Sequence, residues 1–157
     1  MARFPLGLIS DTHGLLRPEA VRALKGSLAI LHAGDVGDPA ILSELSAVAP
    51  LFAVRGNVDT GSWADALPAS LSLDQAGVRI YLRHDLSHLD LEPQAAGFRM
   101  VVSGHTHKPA ARWEGEVLYV NPGSSGPRRF DLPVCLARID LLRAPWKVDF
   151  VELSPGK

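Results

Sequence analysis

The sequence predicts an α/β fold, two mixed β-sheets packed face to face and flanked by helices, and three features carry that prediction. Apolar run, polar loop and helical segment succeed one another repeatedly before residue 60. Beyond residue 70 the pattern changes to alternating runs paired across turns. No repeat, linker or low-complexity stretch divides the 157 residues, so they read as a single domain over 1–157. A chain of that length buries about 70% of the surface its unfolded form exposes. Strand-helix-strand units followed by hairpins are the ingredients of a two-sheet sandwich.

Leu6-Gly7-Leu8-Ile9 is nearly all apolar, as a strand buried on both faces requires, and it ends at Asp11-Thr12-His13. Pro18 opens a helix in which Val21 and Leu24 recur at i,i+3, with Gly26 as its stop. Leu28-Ala29-Ile30-Leu31 is a second buried strand running into His32-Ala33-Gly34-Asp35. Asp38 and Pro39 supply the cap and first turn of a second helix that reaches Leu45 or Val48. Leu51-Phe52-Ala53-Val54 is the third strand and ends at Gly56-Asn57-Val58-Asp59. Leu71 and Leu73, then Val78, Ile80 and Leu82, alternate with polar residues around a turn near Gly77, a hairpin that delivers His84 to its far end. A short helix is expected between Leu89 and Ala96, although Pro93 and Gly97 oppose it. Met100-Val101-Val102 leads to Gly104-His105-Thr106-His107, and Val117–Val120 leads to Asn121-Pro122-Gly123-Ser124. Val134–Leu141 and Lys147–Leu153 form a closing hairpin.

Composition excludes several classes of partner. Sixteen basic and seventeen acidic residues leave a formal charge of −1 with no basic block, so the electrostatic footprint of a nucleic-acid or anionic-membrane binder is missing. Balanced charge points to a small-molecule substrate. Cys135 is the single cysteine, shares a strand face with Ala137 and Ile139, and reads as core. The apolar segment at Met1–Ile9 is too short for a secretory leader and no stretch has the length of a membrane span, which gives a cytoplasmic expectation. A homo-oligomer is compatible with the sequence.

The polar loops share one sheet edge, where open α/β sheets build their sites. Two imidazoles one residue apart at a strand end, His105 and His107, sit roughly 6.5–7 Å apart on an extended backbone. They can converge on one ion or serve two, and Gly104 leaves room beside the backbone for metal or substrate. Taken singly, Asp11-Thr12-His13, Gly34-Asp35, Gly56-Asn57 and His84 are ordinary turn, cap or hydrogen-bonding residues. Yet each of them, like His105 and His107, terminates an apolar strand, and that coincidence at five strand ends is the signal.

These motifs resemble those of the calcineurin-like metallophosphoesterases, and in length and form those of their small prokaryotic phosphodiesterase branch, the YfcE-like family, from Leu6 to Arg128. The resemblance implies the family's αββα sandwich and a metal-dependent phosphodiesterase. One ion would be held by Asp11, His13, Asp35 and His107 and a second by Asp35, Asn57, His84 and His105, with Asp35 bridging. Mn²⁺ is the family's usual activating ion. Imidazole, carboxylate and amide donors without thiolate also suit Fe, Ni, Co or Zn and do not choose among them. Two such ions less two carboxylates leave a charge of about +2 for a phosphoryl group and for hydroxide bridging the ions, the expected nucleophile. No side-chain nucleophile is needed.

Asn121, Gly123, Ser124 and Arg128 resemble a further family element that could cradle a substrate phosphate; the alternative is a turn and a solvated arginine. His32 reads as a satisfied buried histidine, His88 as an exposed loop residue, and Trp63, Trp113 and Trp146 as core or rim. Two departures from the family pattern stand out. Val58 occupies the position where many superfamily phosphatases carry a histidine that assists the leaving group, and Asp85 follows His84 where glycine is common. A non-catalytic scaffold resembling the retromer scaffold subunit is the competing reading, and a phosphomonoesterase or nuclease of the same superfamily is another. Retention of all the ligand residues favours an enzyme.

Overall fold

The computed structural model describes residues 4–153, so Met1 to Arg3 of the segment weighed as a leader, and the last four residues of the domain, lie outside the described part. Strands β1 (Leu6–Ile9), β2 (Ala29–His32) and β3 (Leu51–Ala53) are parallel neighbours. Strand β9 (Cys135–Ile139) joins β1 antiparallel and β10 (Val148–Glu152) closes the sheet, giving the order β10-β9-β1-β2-β3. The second sheet contains β4 (Ser70–Gln75), β5 (Val78–Arg83), β6 (Met100–Val102), β7 (Ala110–Glu114) and β8 (Val117–Asn121) in the order β4-β5-β6-β8-β7. Its three inner strands are parallel, and the outer two are antiparallel to their neighbours.

The sheets face each other through one apolar layer. Leu6, Leu8 and Leu31 of the first sheet meet Ile80, Leu82, Met100, Val102, Leu118 and Val120 of the second. The other face of the first sheet, with Ile9, Ile30 and Leu136, is covered by α1 (Pro18–Leu24) through Ala20 and Leu24 and by α2 (Pro39–Ser46) through Ile41 and Leu45. Both helices begin with the proline that fixes their first turn, and Asp38 caps α2 by accepting the Ala40 N–H at 2.9 Å. The four-residue α3 (Ser62–Asp65) lies in the stretch after β3 to which the sequence assigned no element.

One expectation needs correction, and one strand was not anticipated. The helix expected at Leu89–Ala96 does not form; a 3₁₀ turn at Leu86–His88 is followed by irregular turns, and Leu86, Leu89 and Leu91 cover Tyr81, Phe98 and Val101 on the outer face of the second sheet. Pro93 lacks an N–H and Gly97 sits at φ 88°, so too few residues remain between breakers to propagate a helix. Strand β7 went unread because all five of its residues are exposed on the sheet edge, which erases the alternation that marks a half-buried strand.

Candidate metal centre

The loops that carry the candidate ligands follow strand ends and are stitched to one another by backbone hydrogen bonds. Asp11 N–H donates to Gly34 C=O at 3.0 Å, His13 N–H to Asp35 C=O at 2.9 Å and Gly104 N–H to His84 C=O at 2.9 Å. Seven non-glycine residues among those described have positive φ, and five are Asp11, His13, Asp35, His105 and His107. L-residues rarely adopt this conformation, which persists where surrounding structure enforces it and clusters at binding sites.

Asp11, His13 and His107 form one group. Asp11 is fully buried; its Oδ2 accepts from Ser10 Oγ at 2.6 Å and from His105 N–H at 3.1 Å. Its Oδ1 makes no aligned hydrogen bond, yet lies 3.3 Å from His107 Nε2 and 3.6 Å from His13 Nε2. Those two imidazole nitrogens are themselves 3.3 Å apart. Burial pushes the Asp11 pKa up, but His107, His13 and Ser10 outweigh it and hold the carboxyl well below the usual range. A buried ionised oxygen with no aligned donor, faced by two converging ring nitrogens, is an arrangement that a cation would complete.

Asp35 and His84 extend the site. Asp35 Oδ1 accepts from Val58 N–H at 3.0 Å, which leaves Oδ2 at 3.2 Å from His84 Nε2 and 3.7 Å from His13 Nε2. That single oxygen thus lies between the histidines of the two expected ligand sets. Asn57 Oδ1 is 3.0 Å from His84 Nε2. His84 Nδ1 is 2.8 Å from the Ala33 carbonyl and so carries a proton, which leaves Nε2, facing Asn57 and Asp35, as the ring nitrogen that could bind a metal once deprotonated. Burial raises the Asp35 carboxyl and lowers the His84 imidazole, yet their mutual hydrogen bond reverses both shifts. Metal-ligating atoms of Asp11, His13 and His107, and again of Asp11, Asp35 and His84, lie within 4.8 Å of one another. His105 stands at the margin, its ring edge-on to His84 at 5.3 Å and its Nε2 3.7 Å from Asp85 Oδ2. Asp85 therefore faces His105, and its other oxygen caps the 3₁₀ turn through Ser87.

The glycines serve this packing. A Cβ on Gly104 would collide with Ser10 Oγ and come within 2.7 Å of Asp11 Oδ2, so the space expected beside Gly104 for metal or substrate is occupied by the hydrogen bond that orients Asp11. A Cβ on Gly56 would strike the Asp35 backbone and carboxylate.

Two supporting residues complete the frame. Asp59 is buried, and its carboxylate accepts three backbone N–H groups, from Val36 at 3.1 Å, Gly37 at 2.9 Å and Gly56 at 2.9 Å. Sequence reasoning passed over it; a carboxylate two residues beyond Asn57 was the available signal. His32 is satisfied as expected: Nδ1 accepts the Gly34 N–H at 3.1 Å, and Nε2 lies 3.0 Å from Thr12 Oγ1, which donates to Val36 C=O at 2.8 Å.

The turn weighed as a phosphate cradle spends its polar groups on the protein. Asn121 Nδ2 donates to Gly104 C=O and Thr106 Oγ1, the Gly123 N–H donates to Asn121 Oδ1, and Ser124 Oγ donates to Asp11 C=O. Three of the four residues thus brace the ligand loops; Arg128 alone is exposed. His88 is also exposed, and it lines a cavity of about 170 Å³ together with Arg55, Asn57 and His84. Trp113 and Trp146 stack on each other at 5.9 Å, and Trp63 packs against the helical side of the first sheet. Cys135 is buried, with its thiol pushed up to about 11 by burial. No helix among the described residues is long and apolar enough to cross a membrane.

Comparison with known proteins agrees with this geometry. A family model for the calcineurin-like phosphoesterase superfamily domain matches residues 4–143. A probable metallophosphoesterase of Methanothermobacter thermautotrophicus is 38% identical over 151 residues, 86% of this chain and 86% of that protein. The solved structure of an archaeal phosphodiesterase superposes with a TM-score of 0.79 at 20% identity, covering 94% of this chain and 100% of the other. Chaetomium thermophilum Vps29 superposes with a TM-score of 0.75 at 19% identity, covering 97% and 98%. At such identities these two structures establish the shared fold.

Proposed function

We propose, because the chain belongs to the calcineurin-like phosphoesterase superfamily, that it is a metal-dependent phosphodiesterase working with two divalent ions. Asp11, His13, Asp35 and His107 would hold one ion and Asp35, Asn57, His84 and His105 the other, and Mn²⁺ is the activating ion we favour. The observation that carries this reading is the placement of Asp35 Oδ2 between His13 and His84, beside a buried Asp11 Oδ1 without an aligned donor. Bound divalent ions supply Lewis acidity toward a phosphoryl group and ionise water near neutral pH. The chain's own residues orient that chemistry: Ser10 and the His105 N–H fix Asp11, the Val58 N–H fixes Asp35, and Ala33 fixes the His84 tautomer. Balanced charge favours a small diester over a nucleic acid, and a cytoplasmic setting suits such a substrate.

The likeness to Vps29 favours a second reading, a scaffold that uses the fold without catalysis. The convergent carboxylate and imidazole donors weigh against it. The deciding experiment combines elemental analysis of the reconstituted protein with a metal-by-substrate panel that includes bis-p-nitrophenyl phosphate, with Asp35→Asn as the blank. Two ions per chain and Mn²⁺-dependent diester hydrolysis are expected. No paired site and no turnover above the blank would leave the scaffold.

A further inference from the structure

Phe130 is an anomaly at the edge of the metal centre. Its side chain is 89% exposed, and its backbone φ is 54°, in the left-handed region that a bulky residue ordinarily avoids. The strain comes from a β-turn closed by Leu132 N–H to Arg129 C=O at 3.2 Å, which places Phe130 at a position suited to glycine, asparagine or aspartate. The approach to this loop is anchored: Arg17 Nε and Nη2 donate to Gly126 C=O at 3.3 and 3.1 Å, and Ser124 pairs with Val134. The side chain therefore gains little from the protein that holds it. It does border a cavity of about 140 Å³ whose other walls include His105, His107, Arg129 and Leu132. Two candidate ligands and an exposed aromatic ring thus share one recess.

Resting on the phosphodiesterase reading above, we propose that Phe130 is a specificity-determining platform on which an aromatic arm of the substrate, an aryl or nucleobase group, stacks while its phosphoryl group lies over the His105–His107 side of the centre. An aromatic face accepts any flat π-system, and the neighbouring Arg129 guanidinium adds a second surface that attracts such a group. The isolation of the ring argues for a small ligand over a docking protein. Its sequence neighbours Arg128, Arg129 and Asp131 are charged and exposed. Placing an aromatic arm here also fits the absence of an acid at Val58, since aryl leaving groups depart with little protonation.

The test compares phenylphosphonate with cyclohexylphosphonate, which share the head group and cannot be hydrolysed as esters, by titration calorimetry and proton NMR on Zn²⁺-loaded protein at a pH above the second ionisation of both. The wild type is expected to prefer the phenyl compound, with upfield ring-current shifts of its protons. Phe130→Ala and Phe130→Leu should each reduce that preference on the order of 5–100-fold. Phe130→Gly, which relieves the positive φ, should lose the preference while its Tm holds or rises. Equal affinities for the two phosphonates in the wild type, or an unchanged preference in the variants, would overturn the proposal. So would a change of oligomeric state in Phe130→Ala with ligand preference intact, which would make the ring a contact between copies. Bis-p-nitrophenyl phosphate turnover, measured in parallel, separates the two readings: hydrolysis without a Phe130-dependent preference refutes the platform, whereas the preference without hydrolysis refutes the phosphodiesterase.

Discussion

His32 gives the fold a built-in sensitivity to acid that can be calculated. It is fully buried, and its two hydrogen-bond contacts among the described residues fit a neutral ring that accepts from the Gly34 N–H and donates toward Thr12. Burial depresses its pKa from the ordinary 6.5 to about 4, against the opposing pull of Asp11 and Asp59. The unfolded chain therefore binds this proton at higher pH than the folded one does, so stability is intact above pH 6.5 and falls as pH drops toward 4. A shift of that size is worth about 3 kcal/mol in full, and about 2 kcal/mol of it is lost between pH 7 and pH 5. The assay is urea unfolding of metal-free protein at half-unit pH intervals, wild type against His32→Asn, whose amide can still accept from Gly34 and whose charge never changes. Subtracting the two series removes the titration of the other groups. The wild type should lose about 2 kcal/mol more than the variant between those limits. Parallel curves would mean that the folded protein accommodates the imidazolium, and that the link through Thr12 and Gly34 is not the rigid clasp described above.

Asp59→Ala should destabilise the fold by at least about 3 kcal/mol, because three backbone donors lose their acceptor together; urea unfolding measures it, and weakened metal uptake in an equilibrium dialysis assay should accompany it. Asp35→Asn should reduce diester turnover on the order of 10²-fold or more, whereas His88→Ala should change it by less than about tenfold. Equal losses would misplace the bridging carboxylate. With Val58 unable to donate a proton, kcat/KM across a series of aryl and alkyl diesters should fall steeply as the leaving group becomes more basic, since a positioned acid is commonly worth about 10²–10⁴-fold. A flat series with chemistry rate-limiting would expose an acid, and His88, in its cavity beside Asn57 and His84, would be the first residue to replace.

What could be read in the sequence follows from how locally each feature is encoded. Strands β1, β2 and β3 announce themselves because they are buried on both faces or nearly so, and α1 and α2 because a proline opens each. The candidate ligand residues are legible because each follows the end of an apolar strand, β1, β2, β3, β5 or β6. Strand β7 and the segment over the second sheet are illegible for the opposite reason: their structure is decided by neighbours distant in sequence. The same holds for Asn121 and Ser124. As a Gly-Ser turn they invite an anion, and only the folded chain shows Gly104, Thr106 and the Asp11 carbonyl arriving to take their donors.

The positive φ values tie these threads together. Holding Asp11, His13, Asp35, His105 and His107 in a left-handed backbone costs of order 1 kcal/mol or more apiece, and such conformers persist only where surrounding contacts over-determine them. Those contacts come largely from buried groups outside the candidate ligand set: Asp59 gathers three N–H donors from the second and third loops, His32 with Thr12 joins the first loop to the second, and Asn121 holds the Gly104 carbonyl while the His105 N–H donates to Asp11 Oδ2. The frame therefore holds the candidate donors close together through the protein's own hydrogen bonds. Hydrogen bonds from the neighbouring imidazoles, and for Asp35 also from the Val58 N–H, hold both carboxyls below their usual range, and the Asp35 carboxylate in turn raises the His84 imidazole. A cation taken up by this donor set would compete with protons for the His84 imidazole, so its affinity is expected to fall as pH drops, which a metal titration at stepped pH measures.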